Sequence, residues 1–168
     1  MEPKTTSRSE ESPNASWPLY KAKDWLRARL RKGERCPCCG QRAQMYRRKL
    51  TASMVNTMAS VYREQTRQSA AGQGDPWVYL PDIPQHSRDF ATAAYFGLVV
   101  QRPIRREDGG KAGYWRLTPN GEDFLLGQHT VPKYVLVFDG RTFGFEGKHI
   151  NVHEIAPEFN YGELMAGV

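Results

Sequence analysis

Three cysteines fall within five residues, Cys36-Pro37-Cys38-Cys39-Gly40. Cys36 and Cys39 stand at the C-x2-C spacing with which two thiolates grip one zinc ion, and Pro37 and Gly40 let the backbone turn tightly around it. A structural zinc needs four ligands, and the chain has no further cysteine. The others would be histidines, or would come from a second copy in a homodimer. His86, His149 and His153 are the candidates, with His129 the remaining histidine. His149 and His153 form a zinc-compatible H-x3-H pair, but on an extended strand residues four apart lie roughly 13 Å from one another. They can share an ion only where the segment is helical or bulged. A metal-free knuckle is the alternative, with Cys38 a bystander thiol. Because disulfides staple distant segments, an odd number of crowded cysteines points to a reducing, cytoplasmic setting.

The second chemical signal is charge. The net charge is +6, yet residues 1–50 hold 13 Lys/Arg against 5 Asp/Glu, and residues 51–168 hold 11 against 13. A basic N-terminal half calls for an anionic partner, nucleic acid first and an acidic protein surface second. No Gly-rich phosphate loop, nucleophile elbow or zinc-protease motif occurs, and the acidic pairs Glu107-Asp108 and Glu122-Asp123 read as solvated neighbours. The chain is therefore expected to be non-enzymatic. No apolar run approaches the roughly 18 residues of a membrane span, and the polar stretch 1–15 reads as a disordered tail.

These groups need elements to position them. Leu19, Ala22, Leu26 and Leu30 recur at helical spacing among Lys21, Lys23, Arg27, Arg29, Arg31 and Lys32, which makes a basic amphipathic helix begun by Ser16-Trp17-Pro18 and stopped at Gly33. The helix and knuckle together fill residues 16–49. From Leu50, the stripe Leu50, Met54, Met58 and Val61, widened by Val55 and Tyr62, predicts a core helix. Trp77-Val-Tyr-Leu80 reads as a short strand. Ser87 is a plausible cap for a helix over 88–96, with Phe90 and Ala94 inward and Gly97 as its left-handed stop. Leu98-Val99-Val100 and Tyr114-Trp115-Arg116-Leu117 read as strands around a charged, glycine-rich hairpin tip, and Thr118-Pro119 opens another helix. In the extension 131–168, Lys133–Phe138, Asp139-Gly140 and Arg141–Phe145 form the strongest hairpin signal in the chain. His149–Ile155 is expected as a third strand, and 160–166 as a short terminal helix.

The order of elements between Leu50 and Leu126 resembles the winged helix-turn-helix superfamily. The ending Phe96-Gly97-Leu98-Val99 and the run Tyr114-Trp115-Arg116-Leu117-Thr118-Pro119-Asn120-Gly121 carry the resemblance. The whole chain also resembles small proteins encoded by phages and prophages. The resemblance implies a winged-helix-like core over 50–130; with the N-terminal basic helix and its cysteine knuckle and the C-terminal β-hairpin or meander read from the residues, the expected fold is α+β. The resemblance further implies a phage or prophage regulator that binds DNA. The helix after Ser87 would read the major groove, with Arg88 on guanine, Thr92 on a thymine methyl and Tyr95 on phosphate. Arg102, Arg105, Arg106 and Lys111 would form a wing against the DNA backbone. Pro81-Asp-Ile-Pro-Gln-His86 stands where the superfamily has a regular helix and leaves room for one turn at most. Residues 51–130 carry eight basic and eight acidic side chains, so phosphate affinity must draw on the basic N-terminal half. The rival expectation is a protein-interaction module or inhibitor that binds a host protein complex.

Overall fold

A computed structural model of the chain describes residues 13–14, 16–111 and 113–166. The chain divides into two compact units, Met1–Tyr46 and Arg47–Val168. Most of the expected disordered tail, 1–15, lies outside the described residues.

The first unit opens with α1 (Leu19–Arg27), whose N-cap is Pro18 and lacks a side-chain hydrogen bond. Ser16 was expected to cap this helix. Instead its backbone N–H and its hydroxyl donate to Asn14 Oδ1 at 3.0 and 2.6 Å, because the extended Pro18 delays the first helical residue beyond its reach. Ala22 and Leu30 are buried, and Trp17 and Trp25 pack edge to face at 6.3 Å. Two cations cover those rings, Lys21 on Trp17 and Arg29 on Trp25, each at 4.5 Å. Gly33 takes a left-handed φ of 77° after the helical turns. The chain then enters the hairpin of β1 (Glu34–Arg35) and β2 (Arg42–Ala43).

The second unit is built on α2 (Ala52–Ala70). Thr51 caps it by accepting a hydrogen bond from the Met54 N–H, and the stripe Met54, Val55, Met58, Val61 is buried as its spacing requires. Val78–Tyr79 (β4), Val99–Gln101 (β5) and Tyr114–Leu117 (β6) form an antiparallel sheet in the order β4-β6-β5. Between β4 and β5 lie a 3-10 turn at Leu80–Asp82 and α3, which spans only Thr92–Tyr95. The expected helix over 88–96 is thus shorter; residues 88–91 form turns, and no side chain caps α3. Gly97 ends it with φ 72°, as expected.

The helix α4 (Pro119–Leu125) follows, capped by Thr118. A second sheet has the order β3-β7-β8, from Tyr46–Arg48 (β3), Val131–Phe138 (β7) and Arg141–Ile150 (β8). The Asp139-Gly140 turn joins β7 to β8 with φ of 50° and 67°, the left-handed pair a two-residue hairpin turn requires. The pairing of β7 with β8 shifts register between Pro132 and Tyr134 and again between Leu136 and Val137. His149–Ile155 is not the expected third strand. Only its first two residues belong to β8, and α5 (Val152–Ile155) replaces the rest. The cause is a reciprocal capping box, in which Asn151 and Glu154 each bond the other's backbone N–H. The third strand of this sheet is β3, from a segment assigned by sequence to the knuckle region. Asn160 caps α6 (Tyr161–Met165).

One continuous core runs from Leu50 through Phe90, Trp115, Phe124 and Val135 to Ala156. It draws on residues from both sides of position 130. Phe90 meets Trp115 edge to face at 5.4 Å beneath the first sheet. The fold is mixed α+β, and no described helix is long and apolar enough to cross a membrane.

Candidate nucleic-acid interface and cysteine knuckle

The hairpin between β5 and β6 carries the densest expected site residues. Arg102 N–H donates to Tyr114 O at 2.9 Å, and Arg105 bridges Lys111 across the two arms. The tip closes through Arg106 N–H to Gly110 O at 2.8 Å and Gly109 N–H to Arg106 O at 2.9 Å. Arg102, Arg105, Arg106 and Lys111 are all exposed. Arg106 pairs with Asp108 at 2.8 Å, so part of its charge is met within the hairpin. At the root, Gln101, Arg102, Pro103, Ile104, Arg105 and Lys111 line an open cleft of about 340 Å³.

Of the residues expected on the groove-reading stripe, Arg88 is exposed, Tyr95 half-buried against the core, and Thr92 buried at 5% exposure. The assignment of Thr92 to the outer stripe is corrected, and with it that of Ala94, which is exposed rather than inward. The physical reason is the turn at 88–91: regular i, i+4 spacing assumes a continuous helix, whereas α3 begins only at Thr92. The turn is anchored from α2, where the Thr57 hydroxyl accepts the Ser87 N–H at 2.8 Å.

Outward on the first sheet lies a cluster that the sequence reading did not single out. Strand alternation sends Val78, Trp115, Leu117 and Val99 into the core and leaves Tyr79, Tyr114, Arg116 and Val100 on the opposite face. Tyr79 and Tyr114 are cross-strand partners with ring centroids 5.0 Å apart. Beside them the Trp77 ring holds the guanidinium of Arg116 at 4.4 Å and of Arg102 at 5.7 Å. Asp75 accepts the Trp77 indole N–H at 3.1 Å and pairs with Arg116. The signal was available as period-two alternation about the buried Trp115.

In the first unit, the cysteines sit at the tip of the β1–β2 hairpin. Cys36 N–H donates to Gln41 O and Gly40 N–H to Cys36 O, both at 2.8 Å, and Gly40 takes φ 71°. Arg35 secures the turn by donating to Gly40 O at 3.1 Å. The backbone amides of Cys39 and Cys38 point at the Cys36 sulfur and hold its thiol below the ordinary range, while burial works the other way. The Cys38 thiol is pushed up by desolvation and by its cysteine neighbours. The turn thus favours thiolate at Cys36, the form a metal ligand requires.

The candidate histidines lie in the second unit. His86 Nδ1 bonds Ile83 O at 2.9 Å, His149 Nδ1 bonds the Thr130 hydroxyl at 3.2 Å on β8, and His153 lies on α5 against Phe159. Among the described residues, no three His, Cys, Asp or Glu side chains are gathered as a metal-holding group. No family model, curated protein or solved structure matches the chain.

Proposed function

We propose that the chain is a non-enzymatic DNA-binding protein, in the manner of a phage or prophage regulator, with residues 50–126 acting as a winged-helix-like module. The observation that carries this reading is the exposed β5–β6 hairpin, which presents Arg102, Arg105, Arg106 and Lys111 together. The order α2, β4, turn, α3, β5, β6 and the sheet order β4-β6-β5 support it. So does the position of Arg88 in the exposed turn before α3. In this reading the hairpin holds phosphates, Arg88 contacts base edges and Tyr95 reaches phosphate. The basic first unit adds charge, and Cys36 and Cys39 would hold a zinc ion only if further ligands complete the site.

The test is binding to random duplex DNA as salt rises. Phosphate contacts release counterions, so affinity should fall steeply between about 50 and about 200 mM salt. A wild-type protein that shows no duplex binding at low salt removes the reading.

A protein-interaction module directed at a host complex is the second reading. It is favoured by Phe143 and Phe145, which are 52% and 50% exposed on β8.

A further inference from the structure

We propose that the outer face of the β4-β6-β5 sheet is a binding platform for single-stranded nucleic acid, with Tyr79 and Tyr114 stacking bases and Arg102 and Arg116 tracking the backbone. This rests on the nucleic-acid reading above and extends it to a second surface and a second form of the ligand.

The face is built for flat contact. Tyr79 and Tyr114 are 38% and 36% exposed although both are large and apolar-bodied. Gly113 has φ 76°, and a Cβ there would stand 3.1 Å from the Tyr79 ring. The absent side chain therefore lets that ring lie down on the backbone of the hairpin arm. Tyr114 then packs against Tyr79 with ring centroids 5.0 Å apart and an interplanar angle of 39°, so the two rings lean on one another while each stays partly exposed. Val100, paired with Arg116, continues the face as an exposed apolar side chain.

Charge selects the occupant. Arg102 and Arg116 sit over Trp77, and Arg105 and Lys111 stand on the adjoining hairpin. Asp75 is the acid bound into this cluster, and its carboxylate is engaged by the Trp77 indole and by Arg116, so part of the Arg116 charge is met here and the surplus comes from Arg102, Arg105 and Lys111. An anionic chain that also offers flat apolar rings satisfies both features, and arginine guanidinium planes can themselves stack on bases. A duplex does not fit in the same way, because its bases are already stacked on one another and turn only their edges outward. Unpaired bases have open faces.

The full-length chain should bind fluorescent oligothymidylate of about 16 nucleotides in an anisotropy titration. Replacing both rings, Tyr79→Thr with Tyr114→Thr, should weaken this binding roughly tenfold or more and leave random-duplex binding unchanged; threonine is chosen because it suits a strand. Tyr79→Phe with Tyr114→Phe should bind like wild type, since stacking needs the ring and not the hydroxyl. In parallel, wild type should be photo-cross-linked to the same oligonucleotide carrying bromodeoxyuridine, which needs no variant to fold. Adducts should map to the segment 77–79 or 114–116. Adducts confined to other segments, or equal affinity for the threonine variant, would overturn the platform. Duplex binding without oligothymidylate binding would overturn it while leaving the winged-helix reading in place; loss of both ligands in wild type would end both proposals.

Discussion

The side-chain oxygen of Gln65, on α2, accepts the backbone N–H of Leu117 on β6 at 2.8 Å. β6 is the central strand, but β4 pairs only with Tyr114 and Trp115, so the edge of β6 beyond that point lacks a strand partner on the β4 side. Gln65, itself buried at 8% exposure, supplies the missing acceptor. Replacing Gln65 with Ala should strand a buried N–H and cost about 1–3 kcal/mol, read as a lower midpoint in urea unfolding with an unchanged slope.

Gly121 is required by a close approach rather than by conformation. A Cβ there would overlap the carbonyl oxygen of Leu98, with the carbonyl carbon 2.9 Å away, and both are backbone atoms that cannot swing aside. Leu98 O also accepts the Thr118 N–H at 3.0 Å, fixing the two segments together. Gly121→Ala should destabilise the second unit by about 3 kcal/mol, the upper part of the overpacking range. Gly140→Ala, with open space around it, tests the backbone effect alone and should cost less.

Tyr62 on α2 and Tyr161 on α6 pack with ring centroids 6.2 Å apart, and the neighbouring Tyr161 hydroxyl together with burial pushes the Tyr62 pKa well above the ordinary tyrosine value. The folded state therefore holds that proton longer than the unfolded chain does. The associated stability is complete below about pH 10 and is lost as pH climbs from there toward the folded pKa. In an ultraviolet titration, seven or fewer of the eight tyrosines should ionise before unfolding begins. Tyr62→Phe should remove the late component.

The proposed DNA contacts separate into positioning and reading. Arg105→Ala with Arg106→Ala should weaken binding to every sequence and flatten its salt dependence. The loss should come more from Arg105, because Arg106 already faces Asp108 at 2.8 Å. Arg88→Ala should instead reduce discrimination between a selected site and random duplex by about 1–3 kcal/mol. Titrations of both variants at two salt concentrations distinguish these effects; identical behaviour of variants and wild type would dismiss the docking geometry.

If Cys36 and Cys39 bind zinc, gently purified protein should contain it, and Cys36→Ser with Cys39→Ser should release it. Elemental analysis giving one zinc per two chains would support a site shared in a homodimer. Binding should weaken as pH falls, since the thiolate must compete with its proton.

The elements were legible where periodicity and turn chemistry agreed. The stripe of α2, the Asp139-Gly140 hairpin and the Gly97 stop all stand as their residues predict. Reading failed where a local bond outweighed a pattern. Alternation through His149–Ile155 yields to the Asn151–Glu154 capping box, a signal present in the sequence as Asn-x-x-Glu. At 88–96 regular helical spacing does not hold, because residues 88–91 are turns and α3 begins only at Thr92, which leaves Thr92 buried and Ala94 exposed. The Tyr79–Tyr114 face is not legible in the sequence because it exists only once β4 and β6 lie side by side, and that pairing is 35 residues distant along the chain. The pairing of β3 with β7 is concealed for the same reason.

The two register shifts in the β7–β8 ribbon have a consequence at its outer edge. β8 is the last strand of its sheet, and a ten-residue edge bearing Phe143 and Phe145 would ordinarily invite strands from other molecules to add on. Gly147, at φ 85°, turns the backbone at one shift, and Phe143 is the extra residue at the other. Only Gly144–Glu146 remains in unbroken register between them. An incoming strand would find its hydrogen-bonding rows misaligned on either side of that stretch. The irregularities that interrupt the pairing of the ribbon thereby also make its edge a poor template for aggregation.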